Sequence, residues 1–298
     1  MIHHETRFTP SLEWLRTFVA FAATMSFTRA AEELHLSQPA VHVQVKKLAE
    51  QLGVELYRRR GKALELTDEG VRAVAFGREL LERSDRFLDE LRAVPHAQPT
   101  VVAAGEGALL YVIGDAMSRA LRAELRIQLR VLDTAGVIQA LQRGEAHAGV
   151  TVLEEPPSDL EGRALVESGS LLVVPRAHPL AKRRSLRLTD LDGVPLVAPP
   201  RGARLRELLD SFTRAAGVRA DIVVEARGWP LTLRLVELGV GAAVVNDVVR
   251  IPRSLTGVRL RGLPPQIYWA LRRANAEPSA AAASFWSMLT TLAMRGGR

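Results

Sequence analysis

One short stretch of this chain carries residue types suited to touching a polyanion. Ser37-Gln38-Pro39-Ala40-Val41-His42-Val43-Gln44-Val45-Lys46-Lys47-Leu48 brings amide, imidazole, methyl and ammonium groups together, and Arg58, Arg59, Arg60 and Lys62 follow closely. On a helix, such side chains offer hydrogen bonds and methyl contacts to base edges and charge to phosphates. A second set lies in the later chain: Gly105-Glu106-Gly107-Ala108, Asp133-Thr134, Thr151, Pro200-Arg201-Gly202-Ala203, Arg204, Arg227-Gly228-Trp229 and Asn246. Glycines, hydroxyls, an indole and an amide of this kind line a cleft for a small molecule. They do not form a bond-breaking centre. Gly105-Glu106-Gly107 lacks the third glycine of a dinucleotide fingerprint, and neither a phosphate loop nor a nucleophile elbow occurs. His35, His42, His147 and His178 are scattered without metal-ligand spacing. There is no cysteine, hence no disulfide, thiolate metal site or thiol switch. The chain reads as a non-enzyme without cofactor or metal.

Several elements must hold the first set in place. Ser37 suits the N-cap of a helix, and Pro39 falls in its first turn, where a missing N–H costs little. Val41, Val45, Leu48 and Leu52 share one face of that helix, leaving His42, Val43 and Lys46 to project from the other. An outward Val43 makes sense against a thymine methyl group. Gly53 ends the helix. Upstream, Thr28 is expected to cap a helix over 28–34, joined by the turn His35-Leu36. Ser11 caps a supporting helix with Leu12, Leu15, Val19 and Ala22 at helical spacing and Trp14 and Phe18 in its core. Leu56 to Thr67 reads as two short strands around a basic turn at Gly61-Lys62, a wing beside the helix-turn-helix. Residues 68–93 read as one long helix capped by Thr67. Val74, Leu81 and Leu88 fall at one heptad position and Gly77, Ser84 and Leu91 at the other, which suits either self-pairing or packing on its own domain. Pro95 and Pro99 mark a hinge.

The chain has 298 residues, 47% of them hydrophobic, enough for two or three domains. It shows neither a membrane span nor a leader peptide, so a cytoplasmic location is expected. The net charge of +7 invites a nucleic-acid reading, yet its location argues against that shortcut. Residues 1–95 hold 14 Lys and Arg against 14 Asp and Glu, and the excess lies wholly in the later chain, with 26 against 19. Within the front, however, the cations cluster at and after the helix that begins past Ser37, as phosphate contact requires.

Residues 12–70 resemble the N-terminal domain of LysR-type transcriptional regulators. The landmarks are Leu15 with Phe18; Ser26-Phe27-Thr28 with Ala30-Ala31 and Leu34; Ser37-Gln38-Pro39-Ala40; Leu52-Gly53 with Leu56-Tyr57 and Arg59; and Leu66-Thr67 with Gly70. The family usually has Ser at His42, a polar or basic residue at Val43 and Glu at Ala49. The first two departures lie on the presumed base-reading face. The resemblance implies a winged helix-turn-helix with Thr28, Ser37, Gln38, Pro39, His42, Val43, Lys46, Lys47, Arg58, Arg59, Arg60 and Lys62 as DNA contacts. It also implies a linker helix that pairs two copies.

From Thr100 the texture is α/β. Strands are expected at 101–104, 125–131, 148–152, 171–174, 195–198, 222–224, 242–245 and 268–272, with helices at 109–121, 137–143, 204–216, 231–238 and 279–293. The alternation implies parallel sheets. It resembles the family's effector domain, two lobes related to type-2 periplasmic solute-binding proteins. The expected division is 1–67 for the head, 68–94 for the linker helix, 100–158 with 266–298 for one lobe and 159–265 for the other. Ligands of open α/β sheets sit at the carboxyl ends of strands. That rule selects Gly105, Glu106, Gly107, Ala108, Thr134, Thr151, Arg201, Gly202, Trp229 and Asn246 as effector contacts, with helix starts at 108 and 203 offering N–H groups. The expected partners are double-stranded promoter DNA, a small-molecule effector and further copies of the chain, as dimer and tetramer; RNA polymerase is left open. Two alternatives remain: an α/β binding or enzymatic module with an oligomerisation domain in front, and a regulator that needs no effector.

Overall fold

The computed structural model describes residues 10–61, 63–92, 99–274 and 276–291. Lys62 and Pro95 fall outside them. The head comprises α1 (Leu12–Thr24), α2 (Phe27–Leu34), α3 (Gln38–Leu52), the antiparallel pair β1 (Tyr57–Arg60) and β2 (Ala63–Leu66), and the first part of α4 (Asp68–Arg92). Ser11 and Ser37 cap α1 and α3 as their sequence positions suggest. Thr28 does not cap α2. The helix starts one residue earlier, because the Ser26 hydroxyl accepts from the Arg29 N–H at 3.4 Å and Phe27 stacks on Phe21 with centroids 4.2 Å apart. Val41, Val45 and Leu48 are buried with Phe18 and Phe21, whereas Leu52 is 37% exposed at the end of α3, where the helix overhangs its support.

Thr67 caps α4 by accepting from the Gly70 N–H at 2.9 Å, and its own hydroxyl donates to the Glu55 carbonyl at 2.6 Å. The expected heptad seam is not wholly free. Val74 is buried in the head's core, and a Cβ on Gly77 would lie 3.0 Å from the Val19 side chain. Helix α1 occupies that face, so the first part of the helix packs on its own domain. Phe76, Phe87 and Leu88 remain exposed.

The C-terminal part builds two mixed sheets. The first has the order β4-β3-β5-β13-β6 and contains β3 (Thr100–Ala104), β4 (Ile127–Val131), β5 (Ala148–Leu153), β6 (Leu160–Ser168) and β13 (Gln266–Arg273). The second has the order β10-β9-β11-β7-β12-β8. Its strands are β7 (Ser170–Pro175), β8 (Ser185–Arg187), β9 (Pro195–Ala198), β10 (Asp221–Glu225), β11 (Ala242–Asn246) and β12 (Leu255–Arg261). Each sheet has a parallel core of three strands, but β13 runs antiparallel to both neighbours, β5 and β6, in the first, and β7 runs antiparallel to both neighbours in the second. An all-parallel reading therefore fails. Strand β6 pairs with β13, so residues 160–168 belong to the first sheet and the first crossover lies at Gly169 instead of at the expected lobe boundary after 158.

Helices α5 (Glu106–Tyr111), α6 (Gly114–Arg122), α7 (Thr134–Gln142) and α10 (Ala280–Thr290) cover the first sheet, and α8 (Arg204–Ala215) and α9 (Trp229–Glu237) the second. The single helix expected over 109–121 is two helices broken at Val112-Ile113. Buried Ile113 turns into the core at the break.

Helix α4 is also tied to the first lobe. Arg78 pairs with Glu145 at 3.1 Å and donates to the Arg143 carbonyl at 2.6 Å; Arg273 reaches Glu79 at 3.6 Å and Arg83 reaches Glu277 at 3.0 Å. Burial raises the Glu145 pKa, but bonds and charge from Arg130 and Arg78 outweigh it and hold the carboxyl below its ordinary value.

Gly70, the last landmark of the head, has a close physical reason. A Cβ there would overlap the carbonyl of Leu56, a backbone group that has no rotamer by which to move away. Gly70→Ala is expected to destabilise the head by about 2–3 kcal/mol through overpacking, seen as a lower urea midpoint for the unfolding of residues 10–80. An unchanged midpoint would show that the wing and linker helix separate freely.

Candidate functional site

The head presents one exposed surface. Gln38, Pro39, His42, Val43, Lys46 and Lys47 on α3 all face outward, together with Thr28 on α2, Ser37 at the cap and Arg58, Arg59 and Arg60 on β1. What fixes this orientation is partly apolar and partly polar. Gln44 accepts from the Thr17 hydroxyl and donates to Glu13 at 2.9 Å, so its amide locks α3 to α1. His42 is exposed, yet its ring lies 5.1 Å from that of Phe27, which restricts its swing. Lys47 turns back over Trp14, its ammonium 5.7 Å from the ring, so it stands apart from His42 and Val43. Lys46 pairs with Glu50 at 3.5 Å with both side chains largely exposed, and such a pair yields readily to a phosphate. In the wing, Arg59 donates to the Gly61 carbonyl at 3.2 Å and Gly61 adopts φ 63°, which gives the turn its shape.

The second candidate site lies where the two lobes meet. Gly105 is the N-cap of α5, and Glu106, Gly107 and Ala108 form its first turn, so the expected loop is helical and the helix starts at 106 instead of 108. Ala108 points into the first lobe's core and is removed from any ligand. Gly107 meets Trp229 of the second lobe: a Cβ on it would lie 2.7 Å from the indole nitrogen, and 3.8 Å from the Tyr268 hydroxyl of its own lobe. Glu106 also reaches across. Its carboxylate stands against Gly228, the N-cap of α9, where φ is 85° and a side chain would collide with it. An acid at the positive end of a helix dipole is favourably placed. Tyr111, the last residue of α5, packs on the second lobe's core, and Arg204 pairs across the cleft with Glu154 at 3.6 Å. The Arg204 Nε is buried with no hydrogen-bond partner.

Thr134 and Thr151 share a 2.9 Å hydroxyl bond at the carboxyl side of the first sheet. Arg201 and Gly202 stand in an exposed turn ahead of α8. Asn246 is buried and used within the fold: its Nδ2 donates to Tyr268 at 2.8 Å, and its Oδ1 accepts from Gln266 at 2.7 Å. It joins the lobes at the crossover and does not face an open cleft. Burial, with the charge of Asp247, pushes the Tyr268 hydroxyl up to about 12 against the Asn246 bond, so the group stays protonated. Tyr111 and Tyr268 were not among the expected contacts, whereas Arg204 stands in the candidate set as a helix-start cation. Tyr268 looks like an ordinary strand residue in the sequence, since nothing in its spacing places it opposite Gly107.

Among the described residues no group of three His, Asp or Glu stands ready to hold a metal, and no helix is long and apolar enough to cross a membrane.

Comparison with known proteins agrees with this two-part geometry. Residues 12–71 match the model of the bacterial regulatory helix-turn-helix protein, lysR family, and residues 101–293 match that of the LysR substrate binding domain. The chain is 27% identical over 295 residues to a RuBisCO operon transcriptional regulator of Allochromatium vinosum, covering 96% of this chain and 97% of that one. It is 28% identical over 268 residues to the regulator BudR of Raoultella terrigena, covering 87% and 88%. Among solved structures, a full-length OxyR variant from Pseudomonas aeruginosa shares the fold with TM-score 0.73 at 22% identity, over 95% of this chain and 98% of that one. Full-length CbnR in complex with its target DNA aligns with TM-score 0.55 at 22% identity, over 95% and 100%. The chain belongs to the LysR family: it is a DNA-binding transcriptional regulator with a C-terminal substrate-binding domain, and not an enzyme.

Proposed function

We propose that this regulator reads promoter DNA with the outward face of α3, contacts phosphates through Arg58, Arg59, Arg60 and Lys62 of the wing, and senses a small molecule in the cleft between its lobes. His42 and Val43 read base edges, Val43 by contact with a thymine methyl group, while Lys46 holds a phosphate. The observation that carries the DNA half is the burial of Val41, Val45 and Leu48, which leaves these side chains outward. Self-association, as dimer and tetramer, is supported by exposed apolar groups on α4 and on the edge strands of both sheets: Phe76 and Phe87, Leu129 and Val131, and Val223.

The cleft half rests on donors that converge from both lobes. The Trp229 indole N–H faces Gly107, the Tyr268 hydroxyl lies close by with its proton retained, and Arg204 keeps an unpartnered Nε. Glu106 is engaged at Gly228, the N-cap of α9, so its charge meets the start of that helix. A ligand rich in hydrogen-bond acceptors fits this set, with Thr134 and Thr151 at one side. It would bias the closure of one lobe on the other and hence the spacing of paired heads.

Two measurements test these halves separately. Lys46→Ala should weaken binding to every duplex alike and lower the salt slope by about one phosphate contact, in gel-shift titrations across salt concentration. The pair His42→Ser with Val43→Arg should alter which duplex is recovered from a random library; an unchanged preference would remove the assigned reading face. For the cleft, a thermal-shift screen of metabolites should find a ligand that adds about 2.7 kcal/mol of stability at 100 times its Kd. Gly107→Ala, which drives a methyl group into Trp229, should abolish that shift and change the indole fluorescence. A ligand shift of full size in Gly107→Ala would place the binding elsewhere.

A further inference from the structure

Helix α7 touches both working ends of the molecule. Its first residue, Thr134, bonds to Thr151 beside the cleft, and Asp133 caps it by accepting from the Gly136 N–H at 2.9 Å. At about 1.5 Å per residue the helix runs some 13 Å before it ends at Gln142. The last carbonyl groups of a helix lack partners within it. Here one is met from outside: Arg78 of the linker helix donates its Nη1 to the Arg143 carbonyl at 2.6 Å. The same guanidinium holds Glu145 at 3.1 Å, and Glu145 is steadied by Arg130 at 2.8 Å. A cation at the negative end of a helix is well placed. The Arg78 and Glu145 side chains are only 15% and 23% exposed, so salt screens this contact less than a surface pair.

The two ends are joined by a stiff body. Val137, Ala140 and Leu141 are buried, and α7 lies hard on β5, where a Cβ at Gly149 would stand 2.8 Å from both Val137 and Leu141. On the other side, α4 is packed against α1 of the head through Val74 and Gly77. A continuous run of packed groups therefore leads from Thr134, through α7 and Arg78, to the domain that carries α3.

We infer that Arg78 is a positioning residue for DNA binding: it seats the linker helix on the end of α7, and α7 is the strut by which the cleft sets the angle of the head. The strut half rests on the cleft being the effector site. The Arg78 half does not, since Arg78 meets Arg143 and Glu145 at the end of α7 remote from the cleft.

The test uses the full-length protein and a two-half-site duplex recovered from a random library, with the single half-site as control. Arg78→Ala should keep half-site affinity within about twofold, weaken two-site binding by about fivefold or more and change the length protected from nuclease. Arg78→Lys, which keeps the charge and one donor, should recover most of both. Thr134→Val lies at the far end of α7, in contact with neither DNA nor α4, and should also shift two-site binding with the half-site unchanged. Wild-type protection by Arg78→Ala overturns the positioning role, as does an equal loss on the half-site, which would mean a damaged head. A silent Thr134→Val beside an active Arg78→Ala overturns the strut. If the metabolite screen yields no ligand, the cleft reading falls while these DNA measurements still decide the role of Arg78, so the two failures are distinct.

Discussion

Burial of one face of α3 is the constraint on which the recognition surface depends. Val41, Val45 and Leu48 are fully enclosed by α1 and α2. Full burial of an aliphatic side chain is worth roughly 1.5–3 kcal/mol, so rotating the helix to present a different face would forfeit most of the head's stability. The polar lock from Gln44 to Thr17 and Glu13 adds direction to that apolar grip. His42 and Val43 are outward by consequence. Their identity is then free to vary without disturbing the fold, and two of this chain's three departures from the usual family pattern fall at these positions.

In the C-terminal domain the corresponding constraint is at the crossovers. Both pass the end of β11. Ser168 donates to Asp247 at 2.8 Å, the Asp247 N–H donates to the Gly169 carbonyl at 3.0 Å, and Gln266 donates to Asn246 at 2.7 Å. All are buried or nearly so, and breaking such bonds without water costs more than making them gains. The lobes are therefore stitched at the hinge and bridged again at α5 by Glu106, Gly107 and Tyr111. A ligand must work within that frame. Small changes where Trp229 meets Gly107 are better suited to this structure than wide opening.

Local pattern carried most of the head. Caps at Ser11 and Ser37, the 3.6-residue spacing in α3 and the glycine at 53 each act over a few residues, so they are visible in the chain itself. The errors have a common cause. The α4 seam, the all-parallel sheets and the lobe division all depended on what lies opposite in space. Val74 and Gly77 suited a second copy as well as their own domain because α1 is remote in sequence, and β6 went unrecognised because its partner β13 lies about 100 residues onward. The cleft was legible as a set of strand ends and helix starts. Which of its residues face one another was not: Ala108 turned inward, Asn246 was consumed at the hinge, and Tyr268 came into view only through Gly107.

The distribution of charge completes the account of DNA binding. The head is neutral overall and the excess of +7 lies in the later chain. A long-range positive potential favours encounter with DNA whichever domain carries it, while phosphate register depends on the few cations within contact distance. The two tasks are thus separated here. The Arg-rich α/β domain carries the excess charge, while the exposed cations of the head are Lys46 and the wing arginines. Long-range attraction fades as salt shortens the Debye length, which is about 8 Å at physiological strength. Contact-range neutralisation weakens with salt too, since each phosphate met directly releases counterions that added salt drives back. Search and site choice thus make separate demands on the chain: the first on total charge, the second on the outward side chains of α3.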